Sequence, residues 1–348
     1  MSKPDSLETT LTRAWLRRGP LACALWPLSL LFRALAALRA GLYRAGLFQA
    51  GRLPVPVIVV GNIFIGGTGK TPLTIWLARA LQEAGFRPGV ISRGHGGAAR
   101  DGKDAPRAVT LDADTGEVGD EPLLIARRAG VPVVVGRRRV EAGRALLAAN
   151  PEVDVIITDD GLQHYALARD IEVILFDGRG VGNGWLLPAG PLREPPSRRR
   201  DFTVVNAPEL TPALARAVGG QPFRMELAGD MAERLTDPGQ RRPLASFTGQ
   251  RVLAAAGIGN PGRFFALLRA AHLSFSELPL PDHYDFRDNP FADTDADVIL
   301  ITEKDAVKCG QLENLKGDPR LWVVPVTARI DAALAEHIVE KCRGRSPA

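Results

Sequence analysis

The chain is poor in cysteine and in aromatic rings, and its N-terminal apolar run stops short of a bilayer's width. Three cysteines in 348 residues, Cys23, Cys309 and Cys342, are too few and too scattered for a disulfide framework or a zinc site, which suits a reducing cytoplasm. An aromatic content of 6% supplies no row of stacking platforms, so no nucleic-acid partner is expected. The run Leu21 to Phe32 holds twelve residues with Pro27 inside it and Arg18 and Arg33 at its borders, below the roughly 20 needed to cross. A signal peptide fits poorly, because acidic residues precede the run and no clear cleavage site follows it. No internal repeat is visible.

What is present supports a globular protein, since 45% hydrophobic residues over this length fill two domains or one large one. The net charge of +5 is unevenly spread. Residues 1 to 52 hold eight Lys or Arg against Asp5 and Glu8, which leaves the remainder near −1. Basic residues confined to an apolar segment point to an anionic membrane surface. From Leu28 onward, Leu28, Leu31, Leu35, Leu38 and Leu42 share one helical face while Arg33 and Arg44 project from the other, the pattern of a helix lying in the lipid interface. A helix docked on a core shows the same periodicity.

Beyond this segment strand and helix signals alternate. Val57–Gly61, Gly89–Ser92, Val131–Val135, Val153–Thr158 and Ile171–Phe176 read as strands, with helices at Thr71–Ala84, Glu121–Arg128 and Val140–Ala149 between them. Near-continuous apolar strands separated by helices predict an α/β fold of the P-loop NTPase kind, a mostly parallel sheet with helices on both faces. After a Gly- and Pro-rich loop, Gly178–Pro196, further strands at Phe202–Val205, Arg251–Ala255, Val298–Thr302 and Leu321–Val326 and helices at Gly262–Ala271 and Ala332–Cys342 predict a second, smaller α/β unit. The expected division is an interfacial segment 1–52, a nucleotide-binding core 53–200, a second domain 201–330 and a C-terminal helix and tail 331–348.

Gly66 to Thr71 read GGTGKT, directly after the first strand and at the start of a helix. Glycines let backbone amides close on phosphate oxygens, and the helix that follows points its positive end at the same anion. Lys70 then reaches the β- and γ-phosphates and Thr71 ligates Mg²⁺, with Phe64, Ile65, Gly67, Thr68 and Gly69 completing the ATP-binding loop. Phe64 stands where the usual pattern has glycine.

VDVIITDD ends a strand in paired carboxylates, so Asp159 and Asp160 are metal-site candidates, and Gln163 and His164 continue along the same rim. Asp120 in GDEP opens a helix, where an N-cap is the plain reading, and His283 in PDHYDF sits in a polar loop. Both stay candidates for taking a hydroxyl proton. Arg93 and His95 in ISRGHGG, and Arg193 with Glu194 in PAGPLREP, lie in glycine-rich loops suited to anions. For Glu303, Lys304 and Asp305 the sequence suggests no mechanism.

In order, VVGNIFIGGTGKTP, ISRGHGG, GDEP, TDDGLQH, PAGPLREP, PDHYDF and TEKDAVK resemble the tetraacyldisaccharide 4'-kinases of lipid A biosynthesis, from the basic N-terminus to about Lys308. The resemblance implies transfer of phosphate from ATP, with Mg²⁺, to the 4'-hydroxyl of a tetraacylated disaccharide 1-phosphate at the cytoplasmic face of the inner membrane. It implies that Asp120 pairs with His283 to activate the hydroxyl, so that Asp120, assisted by His283, is expected to take the proton, that Asp159 and Asp160 serve metal and nucleotide, and that two α/β/α units joined by a flexible link close over ATP. His95 departs from the tyrosine more usual after SRG.

Two other classes are weighed against it. A membrane-associated ATPase switch carries lysine just before the GG, where this chain has Ile65, and a GTPase would show Asn-Lys-x-Asp, for which only Thr302–Asp305 is a faint match.

Overall fold

The structure is a computed structural model that describes residues 14–94 and 105–344. The chain divides into two compact units. The first takes residues up to Ile91, Arg139–Glu226 and those from Ile330 onward, and the second takes Ser92–Arg138 and Leu227–Arg329.

In the first unit, strands lie in the order Phe223–Ala228, Phe202–Asn206, Ile171–Asp177, Val57–Gly61, Val155–Asp159 and Pro88–Ser92, every neighbouring pair parallel. The Val57–Gly61 and Val155–Asp159 strands are buried along their whole length, which is why they read as unbroken apolar runs. Register aligns their carboxyl ends: Val60 lies beside Asp159, and Asp177 beside Asn206. Gly61, Asp159, Asp177 and Asn206 thus form one polar rim, with the helix Lys70–Glu83 rising from it.

The N-terminal helix runs Pro20–Arg44, 25 residues with Pro27 inside. The twelve-residue run is therefore not the limit of the apolar element. Alanines and leucines after Arg33 prolong it, and by length and composition alone the helix is sufficient to cross a membrane. Ala22 and Ser29, seven residues apart, are its buried positions, and Ser29 Oγ donates to the Leu186 carbonyl at 2.8 Å. Leu28, Leu31, Leu35 and Leu38 are 55 to 60% exposed, so the leucine face predicted from periodicity does not pack on the core.

The second unit holds a six-stranded sheet in the order Asp237–Pro243, Met231–Arg234, Leu321–Val324, Val298–Thr302, Val252–Ala256 and Ser276–Pro279. Its last four strands are parallel and its first two pair antiparallel. Successive residues alternate between two cores. Ala254, Ala256, Val298 and Leu300 join Phe247, Phe264, Phe265 and Trp322 on one face, while Ala255, Ile299 and Ile301 join Phe286, Phe291, Cys309 and Leu315 on the other.

The units do not follow the linear division expected. Residues 201–226 extend the first sheet, because Phe202–Asn206 pairs in parallel with Ile171–Asp177, whereas Ser92–Arg138 belongs with the second unit, where the helix Asp120–Ala129 packs on the helix Glu303–Cys309. The helix Pro212–Val218 and the strands Phe223–Ala228, Met231–Arg234, Asp237–Pro243 and Ser276–Pro279 lie outside the predicted elements. The Asp237–Pro243 strand is mostly exposed and polar, so it carries no apolar period to read.

Candidate active site

In the first unit the phosphate loop is held from behind by two asparagines. Asn62 Nδ2 donates to the Phe64 carbonyl at 2.7 Å and to Thr68 Oγ1 at 3.0 Å, and Asn206 Nδ2 donates to the Thr68 carbonyl at 2.9 Å. These bonds, with a further one from Asn62 Nδ2 to the Gly66 carbonyl at 3.2 Å, tie down three carbonyls and one hydroxyl at the loop. Gly69 precedes the helix with φ +100°, and a Cβ there would lie 2.6 Å from Asn206 Nδ2, so glycine is required on both counts.

Phe64 earns its unusual place by packing. The segment before the loop pairs with PAGPLREP: Ile65 N donates to the Pro191 carbonyl at 2.9 Å and Arg193 N to the Ile63 carbonyl at 2.7 Å. The buried Phe64 ring then lies under the Arg179 guanidinium, 4.2 Å from its centroid, and Arg179 is held by the fully buried Asp177 at 2.7 Å.

Lys70 Nζ stands 3.3 Å from Asn62 Oδ1 and 3.7 Å from Asp160, and Arg193 also stands 3.7 Å from Asp160. Asp159 accepts from Thr74 Oγ1 on the loop helix at 3.2 Å, and Thr71 is buried at the helix start. The structure thus brings Lys70, Thr71, Asp159, Asp160 and Arg193 to one rim. Glu194 is placed differently. It is buried and accepts from Gln163 Nε2 at 2.9 Å, Tyr165 Oη at 2.7 Å and Arg198, so it organises the loop beneath Arg193. Burial and the Glu194 carboxylate push the Tyr165 hydroxyl up to about 12. The His164 carbonyl accepts from Arg169, which joins that residue to the same scaffold.

In the second unit Asp120 is 3% exposed at the start of its helix. Its Oδ2 lies 3.2 Å from His283 Nδ1 and 3.1 Å from Lys308 Nζ, with Lys304 Nζ at 4.0 Å. Burial disfavours its charge, but the His283 hydrogen bond and the two ammonium groups outweigh that and hold the carboxyl well below its ordinary range. The bond to Asp120 raises His283 above its ordinary value, against burial and the repulsion of Lys304. Asp120 is thus the helix's first residue and a buried anion, with Gly119 in the capping position assigned to Asp120 by the plain reading.

Arg93 belongs to this second unit and is exposed, while His95 lies outside the described residues. Sequence reasoning missed Asn62, Asp177, Arg179 and Asn206 in the first unit and Lys308 in the second. The signal for Asp177 and Asn206 was available, since each ends a strand beside the loop strand's own rim.

A parallel sheet with a glycine loop, a Lys-Thr helix start and strand-end carboxylates defines a P-loop nucleotide-binding protein, and a buried carboxylate on an imidazole adds the means to move a proton. The sequence pattern of the tetraacyldisaccharide-1-P 4'-kinases matches residues 21–343, and the chain belongs to that family. It is 62% identical to the tetraacyldisaccharide 4'-kinase of Janthinobacterium sp. (strain Marseille) over 348 residues and to that of Herminiimonas arsenicoxydans over 356, covering 98% of both chains in each case. Its fold is similar to the crystal structure of LpxK from Aquifex aeolicus in complex with ATP, with TM-score 0.74 and 29% identity over 92% of this chain and 99% of that one.

Proposed function

We propose that this chain transfers the γ-phosphoryl group of ATP to the 4'-hydroxyl of a tetraacyldisaccharide 1-phosphate, a step of lipid A biosynthesis, at the cytoplasmic face of the inner membrane. Family membership and the activity named for its relatives support the reaction. The observation that carries it is Asp120 on His283 Nδ1 at 3.2 Å, because a phosphate loop accounts for nucleotide alone whereas an alcohol acceptor needs a group to take its proton.

The reaction asks for groups that hold the triphosphate and for a group that takes the acceptor's proton. Amides of Gly66–Thr71 and the Lys70 ammonium hold the triphosphate and offset the charge that spreads over the transferred group. Mg²⁺ fits Thr71, Asp159 and Asp160, which offer only oxygen donors, and Asp160 Oδ1 is buried without a hydrogen-bond partner, with Lys70 Nζ 3.7 Å away. When bound, Mg²⁺ would supply charge neutralisation at the phosphate oxygens. Three such residues make no complete cage, consistent with a cation that keeps water and phosphate ligands.

His283 Nε2 accepts the hydroxyl proton and Asp120 steadies the resulting imidazolium. This reverses the order expected from the motifs, in which Asp120 took the proton with His283 assisting. A carboxylate held well below its ordinary range is a weak base, and the raised imidazole is the stronger one.

The exposed leucine face and the basic N-terminal segment support seating of the helix in anionic lipid, so that acyl chains stay in the bilayer while the sugar reaches the protein. The test uses the purified chain, γ-labelled ATP and detergent-dispersed tetraacyldisaccharide 1-phosphate. Label should appear in the lipid, and its absence with folded protein sinks the reading. In vesicles containing anionic lipid, Leu31→Ser with Leu35→Ser should lower partitioning more than about 10²-fold, at roughly 1.5–3 kcal/mol per leucine. Unchanged co-sedimentation would remove the membrane part and leave the chemistry standing.

A further inference from the structure

The TEKDAVK segment forms the short helix Glu303–Cys309, capped by the Thr302 hydroxyl. Lys304 and Lys308 are four residues apart and share a face. Both reach Asp120, and Lys308 also donates to the Tyr284 carbonyl at 3.0 Å, so it bridges the aspartate to the loop that carries His283. Lys304 Nζ lies 3.0 Å from Glu121, 3.5 Å from Asp282 and 3.4 Å from His283 Nε2. At the other end of the same helix pair, Glu303 binds Arg128 and accepts from Val326 N at 2.9 Å.

Asp305 completes the frame from beneath. It is wholly buried and accepts from Gly257 N at 3.0 Å, and the Gly257 carbonyl accepts from His283 N at 3.2 Å. A Cβ on Gly257 would lie 2.9 Å from Asp305 Oδ1, so the turn requires glycine. One helix therefore reaches both members of the Asp120–His283 pair, Asp120 through Lys304 and Lys308, and His283 through Lys304 and through the Asp305–Gly257 bonds.

Building on the reading of His283 as proton acceptor, we propose that Lys304 and Lys308 are positioning residues of the transfer: Lys308 fixes Asp120 on His283 Nδ1, and Lys304 fixes the tautomer whose lone pair lies on Nε2. An ammonium group only donates, so the ring nitrogen facing Lys304 is the acceptor and Nδ1 carries the hydrogen given to Asp120. The groups facing the imidazole are Asp120 and Glu121 from one helix, Asp282 from its own loop, and Lys304 and Lys308 from the other helix. Three carboxylates stand against two ammonium groups, so a proton taken by His283 brings the cluster to neutrality. Lys304 opposes that proton before the reaction, and its long hydrogen bond to the single Nε2 lone pair is exchanged for the acceptor hydroxyl when the ring acts as base.

The experiment follows the His283 ring by NMR titration in the full chain, with the signal assigned by its loss in His283→Gln, and compares it with the pH dependence of kcat/KM. In Lys304→Met both the ring titration and the acid limb of the rate should move to higher pH, because an opposing charge is gone. Lys308→Met should lower kcat about 10²-fold through misplacement of Asp120, with KM for ATP nearly unchanged, and Lys308→Arg should recover part of it. If a methionine variant fails to fold, Lys304→Gln and Lys308→Gln take its place. A ring titration that stays put in folded Lys304→Met overturns the tautomer role, and full turnover in Lys308→Met overturns the anchoring role. A titration that moves while the acid limb does not would instead overturn His283 as the base.

Discussion

The phosphate loop and the proposed proton-transfer cluster are built on opposite principles. The loop is contiguous, Gly66–Thr71, and its working parts are amides whose carbonyl sides are tied down by Asn62 and Asn206. The cluster is assembled from side chains at Asp120, His283, Lys304 and Lys308, drawn from two helices and a loop. A backbone site is specified by local conformation and is written in consecutive letters. A side-chain site is specified by tertiary packing, and each of its members looks ordinary alone.

Lys70→Ala gives the largest expected effect. With the amides intact but the ammonium lost, turnover should fall on the order of 10³-fold and ATP should bind more weakly in calorimetry. The acid limb of the pH profile should stay where it is, since the proposed base, His283, is left intact. Wild-type turnover in this variant would mean that the loop works through its amides alone.

Asp120→Asn tests the other region. As the proposed base His283 must be neutral, so kcat/KM should fall as pH drops through a value that Asp120 holds above the ordinary imidazole range. Removing the carboxylate's charge lowers that value, so the acid limb should move to lower pH while the plateau drops about 10²-fold. An acid limb that moves upward, or does not move, contradicts the assignment. Asp120→Asn combined with His283→Gln should cost little more than the worse single change, because the two act as a unit.

The same contrast explains what the sequence disclosed. The Val57–Gly61 and Val298–Thr302 strands fall at their predicted bounds, and the helix starting beside Lys70 is displaced by one residue, because buried parallel strands and capped helices carry strong local patterns. Asp120 was ambiguous between cap and chemistry because an aspartate at a helix start looks the same in both roles. Only the approach of His283, 163 positions away, separates them. Lys304 and Lys308 were illegible for the same reason: an i, i+4 lysine pair usually marks a solvated face, and here it faces a buried carboxylate. The polar Asp237–Pro243 strand, paired with Met231–Arg234, is held by ladder bonds that leave no mark on composition.

Phe64→Gly gives the smallest expected loss of activity and the sharpest view of the loop. The substitution restores the residue that the general pattern has at this position, so a site specified by local conformation alone should tolerate it or improve. The structure argues otherwise, because the Phe64 backbone pairs with the PAGPLREP segment and its buried ring lies under the Arg179 guanidinium, itself fixed by Asp177. Deleting a buried phenyl ring costs about 3–5 kcal/mol, and a glycine adds up to about 1 kcal/mol of backbone entropy. Thermal unfolding should therefore occur at a lower temperature, and ATP affinity should fall about tenfold as the loop loses its support, while Phe64→Leu should keep most of both. If the glycine variant melts and binds ATP like the parent, the backbone site is self-sufficient and the contrast between the two regions is sharper than the packing around Phe64 implies.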